Sequence, residues 1–236
     1  MEKQKRDGAL DAIEWRILKN LLLLVFAYAL GVMMSIGMQK LDVMSYSAKT
    51  ADKNKVAITF DDGPNPEYTV ELLEGLQKRG VKATFFVLGE EVERYPDILK
   101  AAYDDGHLIG VHSYQHVNFG QIGDAAALEQ VEKTRQAIYD VTGEYTGYIR
   151  PPYGCWKKEL DQELPMIEVL WDIDPLDWAT KDADTVVKRV LQNCPDGSII
   201  LLHDASESSV CAAFTIIDTL QKQGYEFVTV EELMLE

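Results

Sequence analysis

Val56-Ala57-Ile58-Thr59-Phe60-Asp61-Asp62-Gly63-Pro64 is the stretch whose reading decides the fold. Five uncharged residues, mostly β-branched or aromatic, run into two carboxylates and a Gly-Pro turn. A short apolar run bounded by turn signals marks a strand buried on both faces. The next periodic segment, 67–79, spaces Val70, Leu72, Leu73 and Leu76 for one buried helical face. A buried strand followed directly by an amphipathic helix is the βα unit of a parallel sheet.

Outward from this unit the alternation continues. Apolar, β-rich runs recur at 83–89, 107–113, 146–151, 167–173, 198–203 and 226–230. Helical patterns lie between them at 96–105, 123–141, 182–193 and 208–223, and Gly80, Gly106, Gly143 and Gly224 fall where helices should stop. The expected fold is α/β, a distorted (β/α) barrel of about seven parallel strands.

The polar residues share one register. Asp61-Asp62, His112, Arg150, Asp174 and His203 each follow a strand run directly. In parallel barrels the C-terminal strand ends form the active-site rim, so five strands deliver chemical groups to one place. His112 and His116 stand at i, i+4, a helical spacing that lets both reach one ion. With Asp62 they make an Asp-His-His set able to hold a divalent metal and leave positions open. Asp61 is then free to act as a base. His107 precedes its strand and reads as structural.

Arg150-Pro151-Pro152-Tyr153-Gly154 has a backbone locked by two prolines, which suits the Tyr153 amide to oxyanion binding. A carboxylate near His203 would raise its pKa and make it a proton donor to a leaving amine. Trp178 has the shape to stack on a sugar face or to fill core.

Residues 53–236 hold 16 Lys/Arg against 33 Asp/Glu, so the acidity of a chain at net −16 lies wholly in this part. Such a surface repels nucleic acid, and none is expected as a partner. Three cysteines make no disulfide scaffold, although a Cys194–Cys211 bridge is open to an exported domain.

Residues 21–38 (LLLLVFAYALGVMMSIGM) carry no charge over nearly the length needed to cross a bilayer. Arg16 and Lys19 before the run, against Lys40 after it, favour a cytoplasmic N-terminus. The organisation read here is a cytoplasmic segment 1–20, a transmembrane helix 21–38, a linker 39–54 and a catalytic domain 55–236. Removal of the apolar run as a signal peptide is the alternative.

The five segments, in this order, resemble the motifs of the polysaccharide deacetylase family, carbohydrate esterases with a NodB-homology domain. The resemblance covers about residues 53–236. It implies a distorted barrel and metal-dependent removal of N-acetyl groups from amino sugars. It further implies Asp61 as catalytic base and Asp62, His112 and His116 as ligands of one divalent ion. Zinc is expected there, with cobalt or manganese as alternatives. Arg150 would orient the base and Tyr153 would supply the oxyanion N–H. Asp174 would support His203, the general acid; Trp178 and Leu201 would wall the acetyl pocket, and Ser113 would steady its loop. The substrate expected is an acetylated amino-sugar polysaccharide, first of all cell-wall peptidoglycan, acted on by a monomer at the outer face of the cell membrane. An O-acetyl esterase, a chitooligosaccharide deacetylase and a catalytically silent, membrane-tethered glycan-binding protein are the rival readings.

Overall fold

The computed structural model describes residues 54–235, together with Tyr28 and residues 30–33. The chain divides into two compact units, Met1–Asp52 and Lys53–Glu236. In the first, the described residues are helical and exposed. Most of the 21–38 run lies outside the described residues. Among the described residues no helix is long and apolar enough to cross a membrane.

The second unit is a seven-stranded parallel α/β sheet, barrel-like in its path. Its strands are β1 (Lys55–Asp61), β2 (Thr84–Val87), β3 (Leu108–Val111), β4 (Tyr148–Ile149), β5 (Ile167–Glu168), β6 (Ser198–His203) and β7 (Glu226–Phe227). Their spatial order is β5-β4-β3-β2-β1-β6, with β7 paired to the start of β1. Helices α1 (Tyr68–Arg79), α2 (Gly89–Arg94), α3 (Pro96–Asp104), α4 (Asp124–Thr142), α5 (Ala183–Gln192), α6 (Glu207–Lys222) and α7 (Val230–Met234) connect the strands and close the foot. All pairings are parallel, as expected of continuous apolar runs.

Strand β1 is central and buried from Val56 to Asp61. It pairs with β6 from Val56↔Ser198 to Asp61↔His203, which sets Asp61 level with His203 at the rim. The runs at 146–151, 167–173 and 226–230 pair over only two residues each. Pro151 and Pro152 lack the N–H a ladder needs. Beyond β5 the carbonyls of Val169 and Leu170 accept instead from the Arg150 guanidinium, at 3.1 and 3.0 Å. The chain then swings to β6 through a single parallel bridge, Ile173↔Ile200. That bridge carries the path from β5 back to β6.

The buried face of α1 is formed by Thr69, Leu72, Leu73, Gly75 and Leu76. Val70, assigned to it by spacing, is 39% exposed. The polar Thr69 replaces it because its hydroxyl is used inside, accepting from the Asn65 amide and donating to Asp204. Cys155, Cys194 and Cys211 are free thiols. His107 is structural, with Nδ1 accepting the Ala83 N–H at 3.0 Å, and burial lowers its pKa to about 4.

Candidate active site

Strand β1 ends by burying Asp61 and turning at Asp62, whose φ of 80° is left-handed. Ser113 (82°), His116 (53°), Tyr153 (61°) and Leu176 (56°) share that region, which side chains with a Cβ avoid at about 1–3 kcal/mol each. All five lie in the loops that follow strands at the rim. Strain is concentrated where side chains must converge.

Asp61 is held by Arg150, a fully buried guanidinium. Nη1 donates to Asp61 Oδ1 at 2.8 Å and to Thr59 Oγ1 at 2.6 Å. The cation lies 4.2 Å from the Phe86 ring centroid. With both of its nitrogen forks committed, Arg150 fixes one face of the carboxylate. Asp61 Oδ2 is left 3.8 Å from His112 Nε2.

His112 Nδ1–H donates to the Arg150 carbonyl at 2.6 Å, since a carbonyl can only accept. The neutral ring therefore presents a lone pair at Nε2. Burial, opposed by the charges of Asp61 and Asp62, lowers the His112 pKa and keeps it neutral at physiological pH. Asp62 Oδ1 lies 3.5 Å from His112 Nε2 and 3.5 Å from His116 Nε2, and it is buried without a hydrogen-bond partner. An orphaned buried carboxylate oxygen set against two imidazole nitrogens is costly unless a cation satisfies it. The donor atoms of Asp62, His112 and His116 all lie within 4.8 Å of one another, and this set fits a divalent metal.

The two imidazoles do not converge through helical spacing. Residues 113–118 form a loop with neither helix nor strand, and its left-handed residues Ser113 and His116 bring the second ring back to the first. The rings end with centroids 5.2 Å apart.

His203 stands level with Asp61 at the end of β6 and lines the same cleft. Its Nδ1 lies 2.8 Å from Asp177 Oδ1, and Asp177 Oδ2 accepts from the His203 N–H at 2.9 Å and from Ser209 Oγ at 2.7 Å. Burial works to lower the His203 pKa. The Asp177 hydrogen bond, with the charges of Asp177, Asp61 and Asp62, outweighs it and raises the value to about 9. The assignment of Asp174 as partner of His203 is thus corrected. Asp174 Oδ1 accepts the Leu176 N–H at 2.8 Å and closes the turn that swings Asp177 inward.

Asp61, Asp62, His112, His116, Tyr153, Trp171, Asp174, Trp178, Leu201 and His203 line one cleft of about 390 Å³. Every residue named for the site from the sequence lies on it except Arg150, which sits behind Asp61, and Ser113. Tyr153 and Trp178 are exposed on the cleft, at 64% and 66%. The Tyr153 ring packs edge-on against His116, with centroids 4.9 Å apart. Asp177, Trp171 and Thr59 escaped the sequence reading. Asp177 had a signal, as the carboxylate next to Trp178; Trp171 and Thr59 had none that separates them from core.

A profile of the polysaccharide deacetylase family matches residues 48–168, just over half of the chain. This chain belongs to the polysaccharide deacetylase family. As a polysaccharide deacetylase family member it is 37% identical over 185 residues to a peptidoglycan-N-acetylglucosamine deacetylase of Listeria monocytogenes, covering 78% of this chain and 40% of that one. It is 41% identical over 187 residues to a peptidoglycan-N-acetylmuramic acid deacetylase of Bacillus subtilis, again covering 78% and 40%. The solved structure of a peptidoglycan deacetylase from Bacillus subtilis superimposes with a TM-score of 0.76 at 40% identity, over 78% of this chain and 91% of that one. This family member thus spans about two fifths of the length of the first two relatives.

Proposed function

We propose that the protein removes N-acetyl groups from the amino sugars of peptidoglycan by metal-assisted hydrolysis. One observation carries the reading: a carboxylate pinned by Arg150 and an imidazole pinned by Asp177 face the same cleft as the Asp62-His112-His116 set. An amide needs both, because water must lose a proton to attack and the poor amine leaving group must gain one. The names of the relatives point to peptidoglycan as the polymer.

The chain's own groups divide the work. Asp61 Oδ2, the oxygen that Arg150 leaves free, takes the proton of the attacking water as its oxygen adds to the acetamide carbon. The Tyr153 amide, carried on a left-handed turn at the cleft wall, donates to the developing oxyanion. His203 is protonated at neutral pH, and with Nδ1 engaged by Asp177 it delivers a proton from Nε2 to the departing nitrogen. The carbon–nitrogen bond breaks, giving acetate and a free amine. Trp171, Trp178 and Leu201 wall the pocket and exclude water from the acetyl group. Asp62, His112 and His116 would hold a divalent ion, zinc by their two imidazole nitrogens and one carboxylate, and it would supply Lewis acidity.

The substrate lies outside the cytoplasm. Residues 21–38 therefore act as an anchor, with Arg16 and Lys19 on the inside and the catalytic unit outside. Mass spectrometry of muropeptides treated with the zinc-loaded protein tests the activity. Loss of acetyl from glycan amines is expected, and unchanged muropeptides alongside released O-acetyl groups would transfer the reading to an esterase. A C-terminal reporter active only in the cytoplasm would exclude the cell-wall substrate.

A further inference from the structure

The loop that carries His116 has no ladder or helix to hold it, yet His116 must meet Asp62 to a fraction of an ångström for an ion to bind. Two of its residues are left-handed without being glycine, so the loop does not keep this shape on intrinsic preference. Its carbonyls are held by the N-terminus of α2. Gly89 N–H donates to Ser113 O at 3.1 Å and Glu90 N–H to Tyr114 O at 3.1 Å. Its amides are held by one side chain from α4. The Tyr114 N–H and the Gln115 N–H both donate to Gln130 Oε1, at 3.0 and 2.9 Å.

We propose that Gln130 is a positioning residue for the metal-ligand loop, its single side-chain oxygen setting where His116 stands. The two amides it collects immediately precede His116. An sp² oxygen has two lone pairs, so it can accept both bonds at once. Helix α4 is 19 residues long and packs Ala127, Val131, Thr134, Ala137 and Ile138 into the core, which makes it a rigid post for that oxygen. There is no slack on the opposite side. A Cβ on Gly89 would come within 2.4 Å of the Tyr114 ring and 2.8 Å of Thr134 Oγ1, so α2, the loop and α4 are already in close contact. Sliding the loop to regain bonds elsewhere is blocked. Loss of the Gln130 oxygen leaves two adjacent amides without a protein acceptor and frees the backbone just before His116 to rotate.

The proposal rests on the reading that Asp62, His112 and His116 hold the ion, and zinc binding to the purified full chain, by chelator competition, tests it without recourse to activity. Gln130→Met keeps length and helix preference but removes the strong acceptor. It is expected to weaken zinc binding about tenfold or more and to speed hydrogen exchange at the Tyr114 and Gln115 amides. Gln130→Glu keeps an oxygen at the same reach and should restore both; Gln130→Asn, one methylene shorter, should not. A merely structural role would lower the melting temperature of all three without separating their zinc affinities. Wild-type zinc affinity in Gln130→Met, or equal weakness in Gln130→Met and Gln130→Glu, overturns the proposal. His112→Ala separates the two levels. If it loses zinc while Gln130→Met keeps it, only the positioning role fails; if it also keeps zinc, the ligand set fails with it.

Discussion

Asp177 holds His203 with both carboxylate oxygens, one at the ring Nδ1 at 2.8 Å and the other at the same residue's backbone N–H at 2.9 Å. One carboxylate thus fixes the orientation of the ring, its tautomer and its basicity together. The acid that a leaving amine requires is prepared before substrate arrives.

This pairing has a pH signature. A His203 pKa raised to about 9 keeps the proton donor charged at neutral pH, and amide turnover should fall as pH rises through that value. Asp177→Asn removes both the hydrogen bond to a charged partner and its charge. The alkaline limb of the pH–rate profile should move to lower pH, and turnover at pH 8 should fall at least about tenfold. Asp174→Asn should leave that limb in place, because Asp174 only closes the adjacent turn.

His203→Ala should discriminate between substrates. Acetyl esters with good leaving groups need little proton donation and should retain most of their hydrolysis rate, while amide turnover should drop by roughly 10²–10⁴. Parallel assays of an aryl acetate and an acetylated amino-sugar oligomer check this. Equal losses on both would give His203 another role.

Arg150 is expected to dominate the stability of the site. Its guanidinium meets Asp61, Thr59 and two main-chain carbonyls in full burial. Arg150→Met would leave those acceptors unpaired and a buried carboxylate without its counter-charge, at about 3–5 kcal/mol by urea denaturation. Arg150→Lys offers one ammonium in place of a planar fork and should recover only part of the loss.

Metal content should separate base from ligand. Asp61→Asn should keep about one divalent ion per chain by elemental analysis while losing turnover, since the triad is Asp62, His112 and His116. Asp62→Ala combined with His112→Ala should lose the ion. Full metal content in the double variant would overturn the ligand assignment.

Gly63 tests how tightly the carboxylate turn is packed. A Cβ there would lie 2.1 Å from Asp204 Oδ2, and Asp204 is buried behind the turn, where burial first and the charges of Asp62 and Asp61 next push its pKa up to about 7 despite the Thr69 hydrogen bond. Gly63→Ala should cost about 1–3 kcal/mol by overpacking. It should also weaken zinc binding, because the adjacent Asp62 moves with the turn.

The apolar runs and the helices between them were legible because burial on both faces writes an uninterrupted β-rich run, and one-sided burial writes a 3.6-residue period. Those are local signals, and the parallel sheet, the rim and the placement of Asp61, Asp62, His112, His116 and His203 on it follow from them. Residues 68–79, 96–104 and 207–222 formed helices within a residue or two of their pattern. The six-residue α2 and five-residue α7 are too short to show a period, and their place is set by what they cap. Which carboxylate serves His203 could not be read from the chain. Asp174 and Asp177 stand three residues apart in one polar loop, and the left-handed Leu176 between them decides which faces inward. The approach of His116 to His112 likewise depends on a loop shape imposed by neighbours from α2 and α4, distant in sequence. Residue types and their order along the strands were enough to assemble the chemical groups on one rim. Their pairing rests on backbone turns sustained against local preference by tertiary hydrogen bonds, and such turns leave no periodic trace in a sequence.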